Sequence, residues 1–267
     1  MENHIDGNEK QKFRARKRVL PWIIGLVLIS MLLLICLRYS PPTSTPARTI
    51  RVLFVGNSLT FFNDMPELFA ELARSGGYDV EVDMSAQGGW TLSDHASSSL
   101  TLDKIDENWD FVILQEQSVI PCILEERNEY MYPAVRNLYE KVHEKGGTVI
   151  LFMTWGRRDG LPDAGYENFD DMQQQLYTGY MDIADELGVM VAPVGIAWQN
   201  SIKKDPHLNL WGVDGIHPSV EGSYLSACVF YATIFGQSPE GLDNSGLSEE
   251  MAKFLQAIAA ETVLQSV

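Results

Sequence analysis

Five short apolar segments, rich in β-branched residues, recur along the chain and are separated by longer amphipathic stretches. They span residues 50–55, 80–84, 111–114, 148–153 and 189–194. Near-continuous apolar segments of this length are typical of strands in a parallel sheet, because helices cover both faces of such a sheet. The sequence therefore predicts a three-layer α/β/α sandwich around a central, mostly parallel five-stranded sheet.

The amphipathic stretches carry apolar residues at the spacing of a helix. We expect helices over about residues 65–75, 98–107, 127–145, 170–187, 219–236 and 247–265. Gly188 and the pair Gly146 and Gly147 provide stops between a helix and the next strand. Ligands of an open α/β sheet bind beyond the carboxyl ends of the strands, so reactive side chains are expected there.

Residues 19–37 form an apolar run without a charged residue, VLPWIIGLVLISMLLLICL. A helix of this length crosses a hydrocarbon layer of about 30 Å. A basic cluster at residues 10–18 precedes the run, which favours a cytoplasmic N-terminus and a domain on the outside. A cleaved signal peptide is disfavoured because no small-residue site follows the run, and a lipid anchor on Cys36 is disfavoured by the preceding Ile35.

These features divide the chain into four parts. We expect a cytoplasmic basic segment over 1–18, a transmembrane anchor over 19–37, a Pro/Ser/Thr linker over 38–48 and one domain over 49–267. The composition, with 45% hydrophobic and 21% charged residues, is that of a globular protein. The formal charge of −16 disfavours nucleic acid as a partner, because such binding depends on cations that neutralise phosphates.

The predicted domain contains two cysteines, Cys122 and Cys228. They could form one disulfide or remain two buried thiols, and sequence alone leaves both possibilities open. The chain has no CxxC motif and no Cys/His cluster. We therefore expect no metal site and no cofactor.

The first predicted strand runs directly into Gly56, Asn57 and Ser58, and a helix is expected from about Asp64. This order places a hydroxyl at the carboxyl end of a strand, where an open sheet holds reactive groups. The alternative is a plain turn with glycine at positive φ, asparagine in the left-handed region and serine as a cap.

A second segment, residues 214–219 with the sequence DGIHPS, precedes an apolar helical pattern. A serine nucleophile needs a base that takes its proton, and the imidazole needs a carboxylate that orients it. Asp214 and His217 could supply both groups from one short loop. Alternatively, they could cap the turn and the helix that follows.

Taken together, these blocks resemble those of the SGNH hydrolases, the GDSL-like esterase and lipase superfamily. The resemblance covers residues 50 to about 236, with G-N-S at 56–58 as the first block and D-x-x-H-P at 214–218 as the last. It implies a flavodoxin-like sandwich in which Ser58 is the nucleophile, His217 the base and Asp214 its partner. It also implies acyl-enzyme chemistry without a cofactor.

The middle blocks match the family less well. The resemblance implies an oxyanion hole formed by the Ser58 N–H, a second-block glycine and a third-block amide. Gly89 fits the second position, with Gly88 as the alternative. The usual third block, G-x-N-D, is replaced by Q-E-Q-S at 115–118, which places Gln117 at the asparagine position. A glutamine offers the same amide donor on a longer arm, and Gln115 remains an alternative.

Asn57, Gln115 and Trp155 are candidate substrate-binding residues. Trp155 begins the sequence W-G-R-R after the fourth strand, so it could form an aromatic wall for a sugar, with an arginine holding a carboxylate, or it could belong to the core. His95 could line the site, but a solvated loop histidine is the favoured interpretation.

Three further titratable residues are weaker candidates. His143 and His207 lie in polar surroundings and are expected at the surface. Glu116 paired with Asp214 would suggest a glycosidase, but no sugar-cleaving pattern supports that reaction.

The expected function is a membrane-anchored extracytoplasmic serine esterase that hydrolyses small acyl esters, with acetyl groups on a carbohydrate or cell-envelope glycan as the leading substrate. Acyl transfer within the same fold is one alternative. A glycan-binding surface protein without catalytic activity is another, motivated by the altered third block. The sequence leaves the oligomeric state open.

Overall fold

The computed structural model describes residues 48–265. The predicted cytoplasmic segment, the transmembrane anchor over 19–37 and nearly all of the linker lie outside these residues. Among the helices of the described part, none combines the length and the apolar character that a membrane crossing requires.

All five predicted strands are present, and they pair in parallel in the order β2-β1-β3-β4-β5. They are β1 Ile50–Gly56, β2 Val80–Ala86, β3 Phe111–Leu114, β4 Thr148–Phe152 and β5 Met190–Ala192. The strand order reverses direction between β1 and β3. In a sheet of this order the crevice at that reversal is the expected ligand site.

Helices cover both faces of the sheet. The α-helices of four residues or more are Ser58–Phe61, Met65–Ser75, Leu92–Ser97, Ser99–Ile105, Tyr132–Glu144, Phe169–Leu187, Val194–Lys204, Val220–Phe235 and Glu249–Leu264. Successive residues of a strand point to opposite faces, so Val52 and Phe54 lie in one core cluster, and Leu53 and Val55 in another. The predicted three-layer α/β/α sandwich is confirmed.

The helix expected over 98–107 is present as Ser99–Ile105, and an unpredicted short helix, Leu92–Ser97, precedes it. Two local predictions of secondary structure were wrong. The last strand ends at Ala192 rather than Val194, and an unpredicted helix begins after Pro193. The helix expected from residue 127 begins as a wide π turn over Arg127–Met131, before Tyr132.

Candidate active site

Ser58 lies directly beyond the carboxyl end of β1, as the first residue of a four-residue helix. Asn57 caps that helix: its Oδ1 accepts a hydrogen bond from the Leu59 N–H at 3.1 Å, and its Nδ2 donates to the Trp90 carbonyl at 2.8 Å. The plain-turn alternative was wrong, because Asn57 is extended and Gly56 ends a strand.

Position 56 requires glycine because two side chains pack closely against its Cα, where a Cβ would lie. A Cβ at this position would lie 2.5 Å from both Gln115 Oε1 and Thr60 Oγ1. That Oε1 accepts from the Asn57 N–H and from the Thr60 hydroxyl, each at 2.8 Å. Gln115 is fully buried, so its predicted contact with substrate was wrong, and it positions the Ser58 loop instead.

Ser58, His217 and Asp214 come together although Ser58 and His217 are far apart in the chain. His217 Nε2 lies 2.8 Å from Ser58 Oγ, and His217 Nδ1 lies 2.5 Å from Asp214 Oδ2. The carboxylate fixes the tautomer in which Nδ1 carries the proton, which leaves Nε2 free to accept the serine proton. This is the geometry of a Ser-His-Asp triad.

Asp214 remains ionised over a wide pH range. Its hydrogen bond from His217 lowers the pKa of Asp214 from 3.8 to about 2, and the N–H groups of Ile216 and His217 add to this effect. Those two N–H groups donate to Oδ1 at 2.9 and 3.0 Å. Asp214 therefore has both roles: Oδ1 caps the turn, and Oδ2 holds the imidazole.

Several hydrogen bonds hold the loop that carries His217. The His217 carbonyl accepts from the Gly212 N–H at 2.7 Å, and the Gly215 carbonyl accepts from the Arg158 N–H at 2.9 Å. The Trp155 indole N–H donates to the Ile216 carbonyl at 2.9 Å. Ser219, not His217, caps the helix that follows.

Trp155 does not form a wall of the site. It is 2% exposed and stacks on Trp198, with ring centroids 4.1 Å apart and planes 2° apart. The predicted substrate contact was wrong because the ring lies in the core, where it anchors the His217 loop from below.

Ser58, Gly89 and Gln117 offer three hydrogen-bond donors at the site. Within residues 48–265, neither the Ser58 N–H nor the Gly89 N–H has an acceptor. Gln117 Oε1 accepts from the Val119 N–H at 2.7 Å, which fixes the amide and leaves its NH₂ group as a donor. Gly89 has a φ of +76°, a conformation that favours glycine.

These groups line one cavity of about 150 Å³. Its lining residues are Asn57, Ser58, Leu59, Gly89, Gln117, Ser118, Arg157, Ile216 and His217. Gly88 and Gln115 do not line it. Of the alternatives for the oxyanion hole, the structure therefore places Gly89 and Gln117 next to Ser58.

His95 is fully buried, so the prediction of a solvated loop was wrong. Burial lowers the pKa of His95, which keeps the ring neutral. Its Nε2 donates to the Gly56 carbonyl at 2.8 Å, so its Nδ1 accepts from the Thr101 hydroxyl at 2.8 Å. His95 thus supports the end of β1 just before the candidate nucleophile.

Glu116, the alternative glycosidase acid, instead holds the backbone of two loops. Its Oε1 accepts from the Leu92 N–H at 3.1 Å and from the Gln117 N–H at 2.6 Å. Burial raises the pKa of Glu116 from 4.5 to about 7. It ties the loop after β2 to the loop after β3, the two loops that carry Gly89 and Gln117.

The remaining candidates lie away from the cavity. Cys122 and Cys228 are buried free thiols, so the disulfide alternative was wrong. His143 and His207 are exposed, as predicted. Within the part of the chain that the structure describes, no group of His, Cys, Asp and Glu side chains could hold a metal ion.

Comparison with known proteins agrees with this fold. A family model, DUF4886, a domain of unknown function, matches residues 91–259, more than half of the chain. A candidate SGNH hydrolase from Slackia heliotrinireducens is 31% identical, covers 70% of this chain and 100% of its own, and has a TM-score of 0.60.

Two further solved structures share the fold at lower identity. A DUF4886 family protein from Bacteroides uniformis is 20% identical, covering 82% of this chain and 96% of its own, with a TM-score of 0.66. Axe2, an acetylxylan esterase from Geobacillus stearothermophilus, is 19% identical, covering 69% and 94%, with a TM-score of 0.53. No curated protein matches the chain.

The fold is that of the SGNH, or GDSL-like, hydrolases. Within that class, the chain belongs to the DUF4886 family.

Proposed function

We propose that this protein is a serine esterase that cleaves small acyl esters through an acyl-enzyme. The observation that carries the proposal is the 2.8 Å contact between His217 Nε2 and Ser58 Oγ, with His217 Nδ1 held by Asp214. In this reaction Ser58 Oγ attacks the ester carbonyl carbon while its proton passes to His217 Nε2. Asp214 stabilises the imidazolium that forms.

The negative charge that develops on the carbonyl oxygen would be held by the free N–H groups of Ser58 and Gly89 and by the Gln117 amide. One such donor is worth about 3–4 kcal/mol of the barrier. His217 then gives its proton to the leaving alcohol. Water attacks the acyl-serine with His217 as base, and the acid and Ser58 are released.

The size of the cavity supports a small acyl group, with acetyl as the leading candidate. A volume of about 150 Å³ leaves little room for a long hydrocarbon chain. A wider groove of about 1010 Å³ begins at Trp90, next to Gly89, and is lined by aromatic Tyr130 and by several serines. Aromatic faces and hydroxyls together suit a sugar chain, which supports an acetylated glycan as the substrate.

Axe2, an acetylxylan esterase of the same fold, adds support. We also propose that residues 19–37 anchor the domain on the outer face of a membrane, on the strength of the apolar run and the basic cluster before it.

Acyl transfer is the second candidate reaction, because the open groove could admit a sugar hydroxyl in place of water.

The test is hydrolysis of 4-nitrophenyl acetate and longer-chain esters by the purified full chain and by Ser58→Ala. We expect turnover that favours acetyl and a loss of at least about 10³-fold in Ser58→Ala. Ser238→Ala, which removes an exposed hydroxyl outside the cavity, serves as the control. A fluorophosphonate should modify Ser58 in the wild type.

Equal rates for the wild type and Ser58→Ala, together with no modification of Ser58, would contradict the proposal. The glycan-binding alternative without catalysis would then be the one to pursue.

A further inference from the structure

The cavity next to Ser58 contains one full positive charge, that of Arg157. The structure describes seven arginines, and six of them have a carboxylate oxygen within 4 Å. Within residues 48–265 no such partner exists for Arg157, and no Asp or Glu lines the cavity. This is unusual in a chain with 36 acidic and 20 basic residues, where carboxylates are plentiful.

Arg157 is half-buried, and its Nε is buried without a hydrogen-bond partner among the described residues. A buried donor without an acceptor costs about 1–3 kcal/mol, more when it is charged, so its retention calls for an explanation. The Cys122 thiol interacts electrostatically with the guanidinium, but burial raises the pKa of Cys122 to about 11, and the thiol stays neutral. It therefore supplies no counter-charge.

The position of Arg157 is fixed by the fold. It follows β4, and its backbone N–H donates to Met172 Sδ at 3.3 Å. The adjacent Arg158 contacts Asp159, so the two neighbouring arginines have different surroundings. Arg157 is thus held at the same edge of the sheet as Ser58 and Gln117, with its charge unpaired.

We propose that Arg157 binds a carboxylate carried by the ester substrate, so that the enzyme selects anionic esters such as the acetyl ester of a sugar acid. This inference rests on the proposed function and adds a substrate class to it. A guanidinium presents paired N–H donors that match the two oxygens of a carboxylate. One unpaired cation matches a carboxylate of charge −1 better than a phosphate dianion, and the acidic domain disfavours multiply charged ligands.

The first test measures binding without turnover. In the full chain carrying Ser58→Ala, 4-acetoxybenzoate and its neutral methyl ester are titrated by calorimetry or ligand-observed NMR, with and without Arg157→Gln. We expect Arg157→Gln to weaken binding of the anion about 10- to 100-fold relative to the methyl ester. Lys203→Gln, which removes an exposed charge outside the cavity, should leave this ratio unchanged.

The second test uses turnover and locates the carboxylate. Two anionic esters are used: 4-acetoxybenzoate, which carries its carboxylate on the alcohol side, and 4-nitrophenyl glutarate, which carries it on the acyl side. For each, kcat/KM is compared with that of the neutral methyl ester, as the ratio of anion to methyl ester. Arg157→Gln should lower the ratio in one pair, with Arg157→Lys between it and the wild type. Added salt should lower the wild-type ratio without any substitution, which keeps the test usable if a variant fails to fold.

The two proposals fail in different ways. An unchanged anion preference in Arg157→Gln, in binding and in both ester pairs, would overturn the role of Arg157 while leaving the esterase proposal intact. An equal loss on anionic and neutral esters would also overturn it, because Arg157 would then act on the oxyanion or on the fold. Absence of Ser58-dependent turnover would contradict the esterase, while the binding test would still decide on Arg157.

Discussion

The ring of Phe62 stacks on the imidazole of His217, with centroids 4.2 Å apart and planes that differ by 15°. Phe62 immediately follows the short helix that begins at Ser58, and its N–H donates to the Ser58 carbonyl. One residue therefore contacts both the candidate nucleophile and the candidate base. The hydrogen bond to Asp214 holds one ring nitrogen but still allows the imidazole to rotate about that bond. The stack on Phe62 limits this rotation.

Replacing this ring should therefore impair catalysis more than folding. We expect Phe62→Leu to lower kcat about 3- to 10-fold, since aromatic pairs contribute about 0.5–1.5 kcal/mol beyond the burial of their area. Phe61→Leu is the matched control, because Phe61 stacks on Phe62 rather than on His217. Steady-state kinetics with 4-nitrophenyl acetate checks this, and an equal effect of both substitutions would contradict it.

Asn63 joins the Ser58 loop to the His217 loop. Its Nδ2 lies 3.2 Å from the Pro218 carbonyl, 3.0 Å from the Ser219 carbonyl and 2.9 Å from Ser223 Oγ. Its φ is +53°, in the left-handed region that asparagine tolerates better than most residues. The side chain and the backbone of Asn63 thus make separate contributions, which two substitutions can separate.

Asn63→Gly keeps the backbone conformation and removes the bridge, so we expect it to lower the free energy of unfolding by about 1–2 kcal/mol and to reduce kcat. Asn63→Ala also removes the bridge, and alanine tolerates the left-handed region less well than glycine, so it should cost about 1 kcal/mol more than Asn63→Gly. Urea unfolding of the two variants checks this order. If Asn63→Ala were as stable as Asn63→Gly, the prediction would be wrong, and the backbone at residue 63 would have relaxed out of the left-handed region.

The sheet could be predicted from the sequence because strands such as β3 and β4 are almost continuously apolar, a local property of consecutive residues. Strand β2 instead alternates, with Glu81 and Asp83 between apolar residues. The triad could be predicted because two short blocks, G-N-S at 56–58 and D-x-x-H-P at 214–218, resemble those of the SGNH hydrolases. The structure brings Ser58 and His217 to hydrogen-bond distance across the fold.

The wrong predictions concern residues that are buried by contacts with distant parts of the chain. His95 resembles a loop histidine in the sequence, but in the fold its Nε2–H donates a hydrogen bond to the Gly56 carbonyl, 39 residues away. Trp155 and Gln115 follow strand ends, as substrate-binding residues do, yet both fill the layer beneath the site. The left-handed backbone of Asn63, which follows two phenylalanines, was not predicted. These features follow from tertiary packing, which single-sequence periodicity does not report.

Gln117 replaces the asparagine of the usual third block, so its amide tests whether the longer arm serves the same purpose. We expect Gln117→Ala to lower kcat about 10²- to 10³-fold with little change in KM, because the donor acts on charge that develops only in the transition state. Gln117→Glu keeps the acceptor for the Val119 N–H but loses the donor.

Gln117→Glu should therefore be as inactive as Gln117→Ala while folding normally. Thermal unfolding checks that the variant is folded. Full activity in Gln117→Glu would exclude the amide from the oxyanion hole. Gln117→Asn restores the amide on the shorter arm and should recover activity only in part, since the Val119 contact is set for the longer side chain.

Glu116 supports the loops that carry Gly89 and Gln117, and we expect this support to depend on pH. Its carboxyl is fully buried, one oxygen accepts two N–H groups, and the other has no partner among the described residues. Because burial raises the pKa of Glu116 from 4.5 to about 7, the folded protein keeps this proton between those pH values after the unfolded chain has lost it. The stabilising effect is complete below pH 4.5 and is lost as the pH rises through 7.

Glu116→Gln keeps an oxygen for the Leu92 and Gln117 N–H groups and cannot ionise. We therefore expect it to match the wild type near pH 4 and to be more stable above pH 7, by about 1–3 kcal/mol. Urea unfolding at pH 4, 6 and 8 measures the difference. Glu125→Gln, an exposed carboxylate with the same change of charge, is the control. A stability difference that does not vary with pH would show that Glu116 is not the group that titrates, and the loops beside Gly89 and Gln117 would then be independent of its ionisation.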